Sequence, residues 1–223
     1  MSDLTPIVTP IGELQYVHIS GQGKQNYNED GYNYVATIYL TGKDAEDLIA
    51  KLETVLGEVP KGKNLKSKGY RELLKDEEGM YEPTANTKER DEGAEKTGIY
   101  AFRFSTNTTF ADGKQKKISV YNSANPPTRI NLGDRKIGNG SKGAISGKLQ
   151  KYEKGKDVGL SLFLNAVQLV DFKEYVDDAG FEGQEGGFIG DTDSFNPSTA
   201  ETSVEEASPA KATETKQKAK PKL

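Results

Sequence analysis

The stretch IGNGSKGAISGKLQKY, residues 137–152, sets Gly138, Gly140 and Gly143 at the spacing G-x-G-x-x-G. In a dinucleotide-binding loop those glycines lie between a strand and a helix whose N-terminus faces a pyrophosphate. The residues after Gly143 therefore decide the fold. In A-I-S-G-K-L-Q-K-Y, Ile145 and Leu149 fall on one side of an extended chain, with Ser146, Lys148, Gln150 and Tyr152 on the other. The segment is a strand, so the helix that the motif needs is absent. A P-loop is excluded as well, because no Gly-Lys-Ser/Thr follows at the required distance. The stretch reads as a tight glycine turn feeding a strand with one apolar face and one basic, polar face that ends in a tyrosine.

The same period of two recurs on both sides of it. In YNYVATIYL, residues 32–40, Tyr34, Ala36, Ile38 and Leu40 share a face, and Val35, Thr37 and Tyr39 share the other. IYAFRFS sets Tyr100, Phe102 and Phe104 against Arg103, and KKISVYN sets Ile118 and Val120 against Lys117 and Tyr121. The longest candidate, VGLSLFLNAVQLVDF, alternates from Val158 to Leu164 and loses phase near Asn165, as a bulge would cause. One segment is helical. In TGKDAEDLIAKLETVLG, the residues Ala45, Leu48, Ile49, Leu52, Val55 and Leu56 form an amphipathic stripe. Thr41 and Asp44 suggest a capping box, and Gly57 a C-terminal stop. One helix among about five strands, with no βαβ repeat, predicts a small β-barrel or sandwich. Residues 58–97 are rich in charge and read as an insertion, with a short helix expected at Tyr70 to Lys75.

Composition narrows the function. The 223 residues are only 34% hydrophobic and 29% charged, so an ordered part is diluted by polar segments. With no cysteine and His18 as the single histidine, the chain has no disulfide, no thiolate metal site and no histidine cluster. His18 reads as structural or exposed. The carboxylates of DTDSFN and NYNEDGYN lack the spacing of a calcium loop or a convergent acid–base pair, so no catalytic residue, metal or cofactor is expected and the chain is read as non-enzymatic. The N-terminal MSDLTPIVTPIGELQ has no basic or apolar signal region, and no apolar run is long enough for a membrane span; a cytoplasmic protein is expected.

The net charge of −4 hides opposite regions: residues 171–206 carry −10, residues 207–223 carry +4, and residues 1–170 carry +2. Cations and aromatics that share outward strand faces are what a sequence-tolerant groove for single strands requires. Outward lysines are also ordinary protectors of strand edges, and on this reading the barrel is a protein-interaction module or adaptor with no nucleic-acid role.

The order of features carries more than any one of them. A strand GYNYVATIYL runs into the amphipathic helix, followed by the charged insertion, YAFRFSTNTTF, KKISVYN, RKIGNGSKGAISGKLQKY, the long strand and a Gly-rich acidic segment. Over roughly residues 14–190 this series resembles the single-stranded DNA-binding proteins of tailed bacteriophages, those with one OB-fold and an acidic C-terminal tail. The resemblance implies a single five-stranded OB barrel over residues 1–179, with one helix after the second strand, and a disordered tail over 180–223. It also implies sequence-independent coating of single-stranded DNA in replication, recombination and repair in the host cytoplasm. Members pair as homodimers and use the tail to contact the phage DNA polymerase and helicase-primase. The family's groove falls here on Arg103, Lys142, Lys148 and Tyr152, and strand alternation extends the set to Lys117 and Tyr121. In the tail, Phe181, Phe188 and Phe195 recur every seven residues, suited to mimic stacked bases over a basic groove. Two departures stand out: the acidic stretch is followed by KQKAKPKL, and Asn28-Glu29-Asp30 precedes Tyr32 where relatives carry a basic residue.

Overall fold

Strand alternation and the single amphipathic stripe carry through into the computed structural model, which describes residues 4–26, 31–84 and 86–175. In chain order the elements are β1 (Thr5–Val8), β2 (Gly12–His18), β3 (Lys24–Gln25), β4 (Tyr32–Thr41), α1 (Gly42–Leu56), β5 (Asn64–Ser67), β6 (Arg71–Asp76), β7 (Gly79–Tyr81), α2 (Lys88–Asp91), β8 (Glu95–Asn107), β9 (Ser119–Tyr121), β10 (Arg129–Ile130), β11 (Ser141–Lys154) and β12 (Asp157–Asp171). The tail residues 180–223, with Phe181, Phe188 and Phe195, lie outside the described residues, as do Asn28, Glu29, Asp30 and the DTDSFN segment.

Five strands close into a ring in the order β2, β4, β8, β12, β11 and back to β2. Neighbours are antiparallel except β8 and β12, which run parallel and meet at Ser105 and Phe163. Counted along the chain, the ring reads first, second, third, fifth, fourth: the Greek-key closure of an OB barrel. The interior is filled by the apolar phase of each strand, with Leu14, Ile38, Phe102, Phe104, Ile145, Leu149, Val158 and Val167 fully buried. Two glycines let the strands approach. A Cβ at Gly143 would meet the Gln168 carbonyl oxygen, and one at Gly147 would stand 2.8 Å from two ring carbons of Phe104. The phase lost near Asn165 is a bulge: Ser146 pairs with Ala166 and Gly147 with Leu164, leaving Asn165 without a partner in the ladder.

The expected helix follows the second barrel strand and lays Ala45, Leu48, Leu52 and Leu56 against β4, β8, β11 and β12. Each leucine buried there contributes about 2 kcal/mol from removal of apolar surface. Gly57 closes the helix, its N–H donating to the Glu53 carbonyl at 2.8 Å. The capping box is not formed. Thr41 is the N-cap but is still paired with Ile99 as the end of β4, and its side chain makes no cap hydrogen bond.

The expected helix at Tyr70 to Lys75 is overturned. Arg71–Asp76 is β6, which forms a hairpin with β7 and a ladder with β8. One and a half helical turns cannot repay nucleation in water, whereas two flanking strands satisfy this backbone and Leu73 is buried. The hairpin is locked to α2 by Arg90. Its guanidinium donates from Nε to Asp76 Oδ2 and from Nη2 to Asp76 Oδ1 at 2.8 Å, lies 3.3 Å from Glu78 and stacks 3.9 Å from the centre of the Tyr81 ring. That hydrogen bonding holds the Asp76 carboxyl at about 2, below the ordinary carboxylate range. The insertion is therefore an ordered hairpin standing beside the barrel, and it fixes Tyr81. Among the described residues no helix is long and apolar enough to cross a membrane.

Candidate nucleic-acid interface

Two residues on the outward phase of β4, Val35 and Thr37, are each only 2% exposed although they point away from the barrel interior. A groove of about 420 Å³ explains this. Its floor is Val35, Thr37 and Tyr39 of β4 with Arg103 of β8, one side is Gln15, Tyr16 and Lys24, and the other is Leu73, Met80, Tyr81 and Glu82 from the insertion hairpin. Arg103 is exposed and sits directly across the ladder from Thr37.

Tyr16 reaches this groove through a backbone irregularity. The β2–β4 ladder shifts between Gln15 and His18, and Tyr16 adopts φ 50, a left-handed conformation unusual for a side chain of its size. The turn of the opening stretch holds it there: Asn139 Oδ1 accepts the Tyr16 N–H at 2.8 Å, and the Gly140 N–H donates to the Leu14 carbonyl at 3.0 Å. Gly138 allows the segment after β12 to close over that turn, since a Cβ on it would lie 2.9 Å from the Glu174 backbone. The glycine spacing thus serves close backbone packing. Beside Tyr16, burial first, then the Glu82 carboxylate and a hydrogen bond with Tyr16, keep the Tyr39 phenol far above its ordinary value and therefore neutral.

A second groove, of about 610 Å³, opens at the neighbouring end of the barrel. Its lining includes Lys116, Lys117, Arg129, Arg135 and Lys136 and, among the described residues, no carboxylate. Lys116 Nζ donates to Thr106 Oγ1 at 3.2 Å and lies 5.3 Å from the Phe110 ring centre, while the Arg135 guanidinium lies 5.4 Å from that of Phe172. His18 marks the passage between the two grooves. Burial, and then Lys24, Arg103 and Lys136, push its imidazole below the ordinary value. Cations of both grooves therefore act on one ring.

The residues expected from the sequence divide among these surfaces. Arg103 lies in the outer groove and Lys117 in the end groove. Lys148 is exposed on the outer face of β11 between Pro6 and Phe163, and Tyr152 lies half-buried across Gly159 of β12. Lys142 heads β11 opposite Glu13 and Asp171, and Tyr121 is half-buried between Gln168 and Arg129. Neither groove is lined by these four. Sequence reasoning missed Tyr39, whose outward phase with Thr37 was the available signal, and Tyr16, whose bulge removes any such signal.

A ring of this topology has counterparts among solved structures. The single-stranded DNA-binding protein gp2.5 encoded by bacteriophage T7 superposes with a TM-score of 0.51 at 16% sequence identity, over 85% of this chain and 100% of that one. The chain has the fold of a phage single-stranded DNA-binding protein. The single-stranded DNA-binding protein from bacteriophage Enc34 superposes with a TM-score of 0.45 at 9% identity, over 78% of this chain and 86% of that one. The Enc34 protein in complex with ssDNA gives 0.43 at 14% identity, over 76% and 88%. No family model matches the sequence, and no curated protein does.

Proposed function

We propose that this chain belongs with the phage single-stranded DNA-binding proteins and coats single-stranded DNA, accepting any sequence, without enzymatic activity. The observation that carries the proposal is the outer groove. On the second- and third-strand face that OB barrels use for oligonucleotides, Arg103 and Lys24 stand among Tyr16, Tyr39 and Tyr81. Cations meet backbone phosphates there and aromatic rings meet unstacked bases. The end groove offers a second set of cations for the same strand, Lys117 with Arg129, Arg135 and Lys136. Lys148 and Tyr152 offer an extension on the adjoining face. Roles in replication, recombination and repair, and contacts of the acidic tail with polymerase and helicase-primase, complete the proposal from the family resemblance.

Fluorescence anisotropy with labelled oligo(dT) and a matched duplex at three salt concentrations tests it. The single strand is expected to bind tightly and the duplex weakly. If four cations contact phosphates, the slope of log K against log [salt] is about −3, since each contact on a single strand contributes about −0.7. Absence of binding at low salt would leave the interaction-module reading in its place.

A further inference from the structure

A groove for a polyanion has one resident that phosphate would reject. Glu82 lines the outer groove next to Tyr81, and its carboxylate also borders the adjoining cleft by Arg103. Its side chain is only 22% exposed, and its Oε2 lies 3.8 Å from Arg71 Nη1, so the hairpin holds it in place. Around it stand Tyr39, Tyr81 and Met80, surfaces that suit the flat faces of bases and not the sugar-phosphate chain. A strand that puts its phosphates on Lys24 and Arg103 turns its bases toward this side.

An ionised carboxylate only accepts hydrogen bonds. At the exocyclic position cytosine N4 and adenine N6 donate to such an acceptor, whereas thymine carries the O4 acceptor there, which a carboxylate repels, and has its ring N3–H as its one donor. We propose that Glu82 reads the base in this slot, so that the groove favours amino-bearing bases over thymine while remaining open to every sequence. The inference rests on the reading of this groove as a single-strand site and adds a specificity-determining residue to it.

The test compares oligo(dC) and oligo(dT) of equal length at one salt concentration and neutral pH, with the full chain and with Glu82→Gln and Glu82→Ala. Wild type is expected to bind oligo(dC) roughly three- to tenfold tighter, less than a full bidentate pair would give because one acceptor in a half-open groove does the reading. Both variants should bring that ratio close to one, chiefly by tightening oligo(dT). Two variants of different shape guard against a local folding effect in either. A wild-type ratio of one overturns the inference. So does a ratio unchanged by Glu82→Gln while both oligonucleotides tighten equally, which would make Glu82 a charge and nothing more. Failure of wild type to bind either strand would instead overturn the single-strand reading itself, and this inference with it.

Discussion

Asn139 holds Tyr16 from a distance of 123 residues in sequence, its side-chain oxygen accepting the Tyr16 N–H at 2.8 Å at the point where β2 bulges. The hydrogen bond stabilises a left-handed backbone that costs about 1–2 kcal/mol for any residue but glycine. In return, the Tyr16 side chain stands in the outer groove. Asn139→Ala is therefore expected to lower stability in urea by about 1 kcal/mol. It should also weaken oligo(dT) binding several-fold although Asn139 lines neither groove. Tyr16→Ala should lose about 1–3 kcal/mol of binding, the scale of one base–aromatic contact, with stability nearly unchanged because the side chain is 51% exposed. Equal affinity of both variants and wild type would remove Tyr16 from the interface.

Arg103 is exposed and has no ion pair among the described residues, so its removal leaves no buried charge behind. Arg103→Ala should change stability by less than about 0.5 kcal/mol, weaken binding to all sequences alike and make the salt slope shallower by about 0.7. The salt titration checks the last point. An unchanged slope would show that Arg103 meets no phosphate.

His18 supplies a pH dependence whose sign is opposite for folding and for binding. Its folded value lies below the ordinary 6.5 because of burial and then Lys24, Arg103 and Lys136. The unfolded chain therefore takes up the proton first, and the contribution of His18 to stability, full above about 6.5, declines as pH falls toward the folded value. A bound phosphate offsets the three cations and raises the imidazole pKa. Affinity for oligo(dT) should then increase as pH falls through and below that region, and His18→Gln should flatten the change. Anisotropy between pH 5.5 and pH 8 decides it; a wild-type profile no steeper than that of the variant places the DNA away from His18.

The barrel was legible from the sequence because its long strands each bury one face. The inward phases of Tyr34–Leu40, Phe102–Phe104 and Val158–Leu164 appear in the core as read, and the phase loss at Asn165 is a bulge. The groove was harder to read. Strict alternation from Leu14 turns Tyr16 inward, and only the left-handed residue sends it out. The hairpin wall came from a segment whose charge suggested a loop and a short helix, yet its order depends on Arg90 reaching back to Asp76, a contact that no local pattern shows. Lys142 illustrates the converse. Its outward phase is as expected, but the ladder sets it between Glu13 and Asp171, which strand alternation alone does not reveal.

Gly147 tests the barrel closure. Its missing side chain leaves room for the Phe163 carbonyl oxygen and for the ring of Phe104, which is fully buried. Gly147→Ala should destabilise by about 2–3 kcal/mol through overpacking. Gly155 lies at φ 60 in the β11–β12 turn, and an added Cβ there would meet nothing within 4 Å, so the same change should cost only about 1 kcal/mol. Chemical denaturation of the two variants gives the comparison; Gly147 has no left-handed φ, so a loss there no larger than at Gly155 would mean that its neighbours give way to the added methyl without a packing cost.

The segment after β12 is anchored at the end groove: the Gly138 N–H donates to the Lys173 carbonyl at 2.7 Å and the Tyr175 N–H to the Lys136 carbonyl at 2.9 Å. Lys136 lines that groove, and Tyr175 is the last described residue before the acidic sequence. If the stretch of net charge −10 over residues 171–206 reaches the cations of that groove, it competes with DNA for them at a high effective concentration. Truncation after Tyr175 should tighten oligo(dT) binding, most at low salt, where the Debye length grows to about 30 Å near 0.01 M. The gain should shrink toward nothing as salt rises, and the truncated chain should show the steeper salt slope, because its cations are no longer partly neutralised. Equal affinity of the two chains at low salt would mean that the acidic stretch does not compete for the groove and serves solubility alone.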